Sequence, residues 1–99
     1  MNKLIPVVKP EITNLDIETV NDCLKREWLG MGKDVVLFEK TVAEIINIDR
    51  EKVVAISTGT KALEAALRAT DKPKGAKVLM PSLNFVGAGQ AVLNAGYIP

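Results

Sequence analysis

The stretch Ser57-Thr58-Gly59-Thr60-Lys61-Ala62-Leu63 places hydroxyls, a glycine and a lysine together, directly after the apolar run Val53-Val54-Ala55-Ile56. A turn leading from a strand into a helix presents unpaired backbone N–H groups and the positive end of the helix dipole, which together attract a phosphate. Gly59 lets the backbone approach an anion, and the hydroxyls of Ser57, Thr58 and Thr60 add donors. The same residue types also make an ordinary strand-to-helix turn with a hydroxyl cap. On this stretch alone the two readings stand level.

Two better-defined phosphate loops are excluded. The P-loop requires Gly-x-x-x-x-Gly-Lys-Ser/Thr, whereas Gly59-Thr60-Lys61 is followed by alanine. Gly87-Ala88-Gly89 approaches the dinucleotide fingerprint, but Val92 occupies its third glycine position and the pair falls inside a predicted helix.

Other chemistry is sparse. The 99 residues contain no histidine, which removes Ser–His and Cys–His catalysis and the usual zinc sites. Cys23 is the single cysteine, so no internal disulfide forms, and its place on an apolar helical face predicts a buried, inert thiol. Thirteen basic against twelve acidic residues give a net charge of +1, and the basic residues are scattered apart from Lys72, Lys74 and Lys77. That balance offers no field for nucleic acid or an anionic membrane. No run approaches the roughly 20 apolar residues that span a bilayer, and no signal-peptide pattern opens the chain. The expected setting is the cytoplasm.

These groups must be positioned by the elements around them. Pro6 and Pro10 mark an extended arm over 1–12. Thr13-x-x-Asp16 forms a capping pattern, and Ile17, Val20, Leu24 and Trp28 fall on one helical face. Gly30 and Gly32 break that helix. A second helix carries Val35, Phe38, Val42, Ile45 and Ile46 on a stripe expected to be buried and closes at Asn47, which completes a two-helix segment over 13–47. From 48 to 99 the pattern changes to strand, helix, strand, helix, strand. Residues 53–56 and 77–80 read as strands buried on both faces, 62–69 as a helix with Leu63, Ala66 and Leu67 inward, about 85–95 as a further helix, and 97–99 as the opening of a third strand. That order predicts an α/β fold with a partial parallel sheet and crossover helices. An apolar strand left unfinished at Pro99 predicts a fragment of a longer protein.

Four blocks then resemble, in order, the DegT/DnrJ/StrS family of aminotransferases. They are Trp28-Leu29-x-x-Gly32-x-x-Val35-x-x-Phe38-Glu39, Ser57-Thr-Gly-Thr60-x-Ala62-Leu63, Met80-Pro-Ser-Leu-Asn-Phe-Val86 and Asn94-Ala-Gly96-Tyr-Ile-Pro99, preceded by an arm with Ile5-Pro6 and Pro10. The resemblance covers essentially the whole chain. It implies the N-terminal part of the large domain of a fold-type-I transferase dependent on pyridoxal 5'-phosphate. It also implies a cofactor site in which Gly59, Thr60 and the backbone N–H of Lys61 hold the phosphate and Phe85 stacks on the ring. Lysine at 61 replaces the family's alanine, and its side chain would either crowd the site or touch the phosphate. Asn84 and Leu83 also depart from the family's threonine and phenylalanine. Without the resemblance Phe85 reads as a core residue. Trp28 and Leu29 line the substrate side on this reading, with core or dimer packing an equal alternative.

The implied reaction transfers an amino group, from a donor such as glutamate, to a keto group on a nucleotide-linked sugar, in a homodimer. No lysine here matches the context of the family's Schiff-base lysine, so no catalytic residue is assigned and the piece alone is expected to be inactive. Three alternatives remain open: a non-catalytic truncated protein that binds a phosphate or a subunit, a sugar dehydratase of the same family, and a self-sufficient α/β domain with an unrelated phosphate ligand.

Overall fold

A computed structural model describes residues 5–99, so the first four positions of the expected arm lie outside the described residues. Residues 5–12 carry no helix or strand and are exposed. The chain divides into two compact units whose boundary falls between Arg50 and Glu51.

The first unit holds α1 (Asn14–Lys25) and α2 (Lys33–Ile46). The capping box forms as its residues dictate. Thr13 Oγ1 accepts the Asp16 N–H at 3.3 Å, and the Asp16 carboxylate accepts the Thr13 N–H at 2.7 Å. Those bonds, the backbone one foremost, hold the Asp16 carboxyl below its usual range. At the other end of the pair, Asn47 adopts the left-handed conformation (φ 54°, ψ 54°) that closes α2.

Two expectations fail in this unit. Trp28 is not on the face of α1, because the helix stops at Lys25 and Glu27 turns left-handed at φ 55°. The turn folds the indole back onto the chain: its N–H donates to the Met31 carbonyl at 2.8 Å, and a Cβ on Gly32 would stand 2.5 Å from the ring. The α2 stripe is also not buried. Glu39 and Ala43 are the buried residues, while Phe38, Ile45 and Ile46 are more than half exposed. Among the described residues α1 and α2 do not pack on one another; the α1 stripe is exposed, while Val35 and Val42 of the α2 stripe are half-buried. Glu39, 5% exposed, is held at 2.6 Å by the Arg50 guanidinium. Cys23 is half-buried, with its thiol 3.8 Å from the Trp28 carbonyl.

The second unit holds α3 (Gly59–Ala69) and α4 (Val86–Asn94), which pack on each other. The expected strands are reduced to a single parallel bridge, Lys77 with Ile98, among the described residues. It is made by Val78 N–H to the Ile98 carbonyl at 2.8 Å and Ile98 N–H to the Ala76 carbonyl at 3.0 Å. No ladder forms at 53–56. Burial on both faces fails as well, because cover alternates with the two-residue period of extended chain. Val53, Ala55, Ala76, Val78 and Met80 are half-buried, whereas Val54, Ile56, Lys77 and Leu79 are exposed. One face of these segments is covered and the other is open.

Tyr97 ties this unit together. It is 6% exposed, its hydroxyl lies 3.2 Å from the Leu67 and Lys72 carbonyls, and it accepts the Lys72 N–H at 3.2 Å. The end of α3 and the loop beyond it are thereby fastened to the segment that carries the bridge.

Candidate functional site

The turn at 57–60 starts α3 three residues earlier than the sequence suggests. Thr58 takes the cap position in extended conformation (φ −148°, ψ 152°) and its Oγ1 accepts the Lys61 N–H at 3.2 Å. Its carbonyl accepts the Ala62 N–H at 2.9 Å. The Lys61 N–H is therefore engaged by the cap, and the donors left facing outward at the helix start are the N–H groups of Gly59 and Thr60.

Phe85 is the cap residue of α4 and has no side-chain capping bond; its own N–H is taken by the Asn84 side-chain oxygen at 2.8 Å. The beginnings of α3 and α4 border one open cavity of about 870 Å³. The 58–60 turn forms one wall, Phe85 and Asn84 another, and Leu63 and Ala66 line it between them. This accounts for Leu63 and Ala66, expected to face a core: Leu63 is half-exposed because it faces the cavity. Phe85, 75% exposed, likewise presents its ring to open space rather than to a packed interior.

Two helix N-termini bordering one mostly apolar cavity make a site suited to a ligand with an anionic end and a flat apolar body. The volume falls in the range of small-molecule sites, roughly 300–1,000 Å³. Gly87 allows the close approach of the two helices, since a Cβ there would stand 2.3 Å from Thr60 Oγ1 and 2.9 Å from the Phe85 ring. Sequence reasoning missed this role. Its only signal was a glycine in the first turn of a helix, where it costs stability relative to alanine.

The Lys61 side chain does not line the cavity. Its ammonium meets Glu64 at 2.9 Å, and Arg68 binds the same carboxylate at 3.0 Å. These bonds, the Lys61 one first, hold the Glu64 carboxyl down at about 2. Trp28 and Leu29 belong to the first unit, where both side chains are mostly exposed. Among the described residues no helix is long and apolar enough to cross a membrane.

The sequence profile of the DegT/DnrJ/EryC1/StrS aminotransferase family matches residues 10–99. The chain belongs to this family. Relatives of this DegT-family chain include a GDP-perosamine synthase from Escherichia coli O157:H7, 33% identical over 98% of this chain and 26% of that protein. A dTDP-4-dehydro-2,3,6-trideoxy-D-glucose 4-aminotransferase from Saccharopolyspora spinosa is 28% identical over 97% of the chain and 25% of the relative. The spore coat polysaccharide biosynthesis protein SpsC from Bacillus subtilis is 30% identical over 99% and 25%. The DegT-family chain thus spans about a quarter of the length of the relatives it matches. No solved structure matches it with significance.

Proposed function

We propose that these residues form the N-terminal part of a pyridoxal-phosphate-dependent aminotransferase that moves an amino group, from a donor such as glutamate, onto a nucleotide-linked keto sugar. The observation that carries this reading is the cavity bordered by both helix starts, with the 58–60 turn and Phe85 on its walls. The names of the relatives support the substrate class.

The donor set suits the cofactor. The N–H groups of Gly59 and Thr60, with the Thr58 and Thr60 hydroxyls, hold a phosphate at the positive end of α3. Phe85 would stack on the pyridine ring and shield that face from water. The Lys61 N–H serves the site indirectly by fixing Thr58 as the cap, which keeps the two preceding N–H groups directed outward. When bound, the cofactor supplies an electron sink for the amino-group transfer. The 99 residues bind and orient it, and the groups that move protons lie elsewhere in the complete enzyme. Segments 53–56, 77–80 and 97–99 are strands of its parallel sheet, and residues 48–99 open its large domain. On this reading Trp28 and Leu29 contact the substrate in the complete enzyme, which is a cytoplasmic homodimer.

The test is cofactor retention by the complete protein. Thr60→Ala and Phe85→Ala are each expected to weaken retention of pyridoxal phosphate about tenfold, read from bound-cofactor absorbance after dialysis. Unchanged occupancy in both variants would refute the site. Intact mass at the source tests the fragment: several times 10.7 kDa supports it, and 10.7 kDa refutes it.

A further inference from the structure

We propose that Glu64 regulates phosphate capture at the 58–60 turn: it holds the Lys61 ammonium in an ion pair, so that the bound anion and the Glu64 carboxylate compete for one cation. This rests on the reading of that turn as the phosphate site.

Lys61 is the third residue of α3. Helical side chains lean toward the helix N-terminus, so an unpaired lysine at this position lies toward the turn. A cation in the first turn also opposes the positive end of the dipole, and a lysine placed before its glutamate is the weaker order for such a pair. The Lys61 ammonium nevertheless reaches the other way, to Glu64 Oε2 at 2.9 Å.

Glu64 can hold it there because Glu64 is itself fixed. Its side chain is 13% exposed, against 58% for Lys61. Arg68 donates to Oε1 from Nε at 3.1 Å and from Nη2 at 3.0 Å, and the Asn94 amide donates to Oε2 at 3.4 Å. Arg68 also donates to the Asn94 carbonyl, so the carboxylate is anchored to both helices.

This arrangement makes the lysine exchangeable. When Lys61 leaves, Glu64 keeps Arg68 and Asn94 and is not stranded. What is lost is one ion pair whose lysine end is 58% exposed, while Glu64 stays charge-bonded to Arg68. What is gained is a charge-assisted contact to a dianion, the stronger class. Relief of the cation–dipole repulsion at the start of α3 favours the same exchange.

The experiment is equilibrium dialysis of the complete protein against pyridoxal phosphate and, separately, pyridoxal. Glu64→Gln is expected to tighten pyridoxal phosphate about fivefold while pyridoxal is unmoved. In a Lys61→Met background the same substitution should change pyridoxal phosphate affinity less than about twofold. Lys61→Met by itself should weaken pyridoxal phosphate about threefold at low ionic strength, with the loss shrinking as salt rises. That arm reads the competition even if Glu64→Gln folds poorly. No effect of Lys61→Met, or an equal Glu64→Gln effect with and without Lys61, overturns the proposal. A parent protein that binds pyridoxal phosphate no more tightly than pyridoxal instead removes the phosphate reading of the turn.

Discussion

Replacing Tyr97 with phenylalanine removes one oxygen and keeps the ring. The residue is 6% exposed, so the apolar packing is retained and the change isolates the hydroxyl. That hydroxyl accepts the Lys72 N–H at 3.2 Å and has three neighbours to which it can donate, the Leu67 and Lys72 carbonyls at 3.2 Å and Thr70 Oγ1 at 3.4 Å. Two hydrogen bonds at about 1 kcal/mol each set the loss near 2 kcal/mol. Water reaching the loop carbonyls would reduce it, so about 1–2 kcal/mol is the expected range. The local assay is amide exchange at Lys72, whose N–H has Tyr97 Oη as its acceptor. Exchange there should accelerate about 5- to 30-fold in Tyr97→Phe, since 1.4 kcal/mol corresponds to tenfold. The urea midpoint should fall without a change in slope. Exchange at Lys72 within about twofold of the parent, with an unmoved midpoint, would show that the hydroxyl is not a fastening.

Glu39→Gln should cost about 1–2 kcal/mol, read from urea unfolding, because it removes a carboxylate that is 6% exposed and charge-bonded to Arg50 at 2.6 Å; a loss below about 0.3 kcal/mol would refute that role. Acid should weaken the second unit through Glu64. Its carboxyl is lowered from 4.5 to about 2, so the stability it contributes is complete above pH 4.5 and is lost as pH falls toward 2. Between those pH values the parent should lose more stability than Glu64→Gln; parallel acid curves would count against the pairing. Cofactor retention in Thr60→Ala and Phe85→Ala, and the Lys61–Glu64 cycle, complete the set.

Local signals were the legible ones. Thr13 and Asp16 sit three apart with a helix behind them, and the bond they form needs nothing from the rest of the chain. Asn47 was readable for the same reason. The start of α3 was not, because Ser57, Thr58 and Thr60 all have capping hydroxyls and side-chain chemistry does not choose among them. Trp28 fitted the helical spacing by coincidence of number, since the chain had already turned at Glu27. The continuous apolar runs at 53–56 and 77–80 implied cover on two sides, yet an apolar residue reports what a face tolerates and not what lies against it. Of the site, the glycine and hydroxyls of the turn were readable as an anion cradle. Only the family resemblance linked them to Phe85, about 25 positions away. The Lys61–Glu64 pair and the fit of Gly87 under Thr60 depend on rotamer and helix approach, which no spacing rule encodes.

The bridge between Lys77 and Ile98 also bears on the order in which the chain assembles. Its two sides are only about twenty residues apart, and α4 forms within the intervening segment. Closing a loop of that length costs about 3 kcal/mol of chain entropy, and each doubling of length adds about 0.6 kcal/mol. A partner for Ile98 at 53–56 would have to be recruited across about 42 positions, twice that gap, so for this segment the contact to Lys77 is the natural early one. Early commitment also sets register: a slip of one residue would turn Leu79 inward and Val78 outward. Gly96–Ile98 can therefore take its place beside Lys77 while the open face at Val54, Ile56 and Leu79 is still waiting for cover.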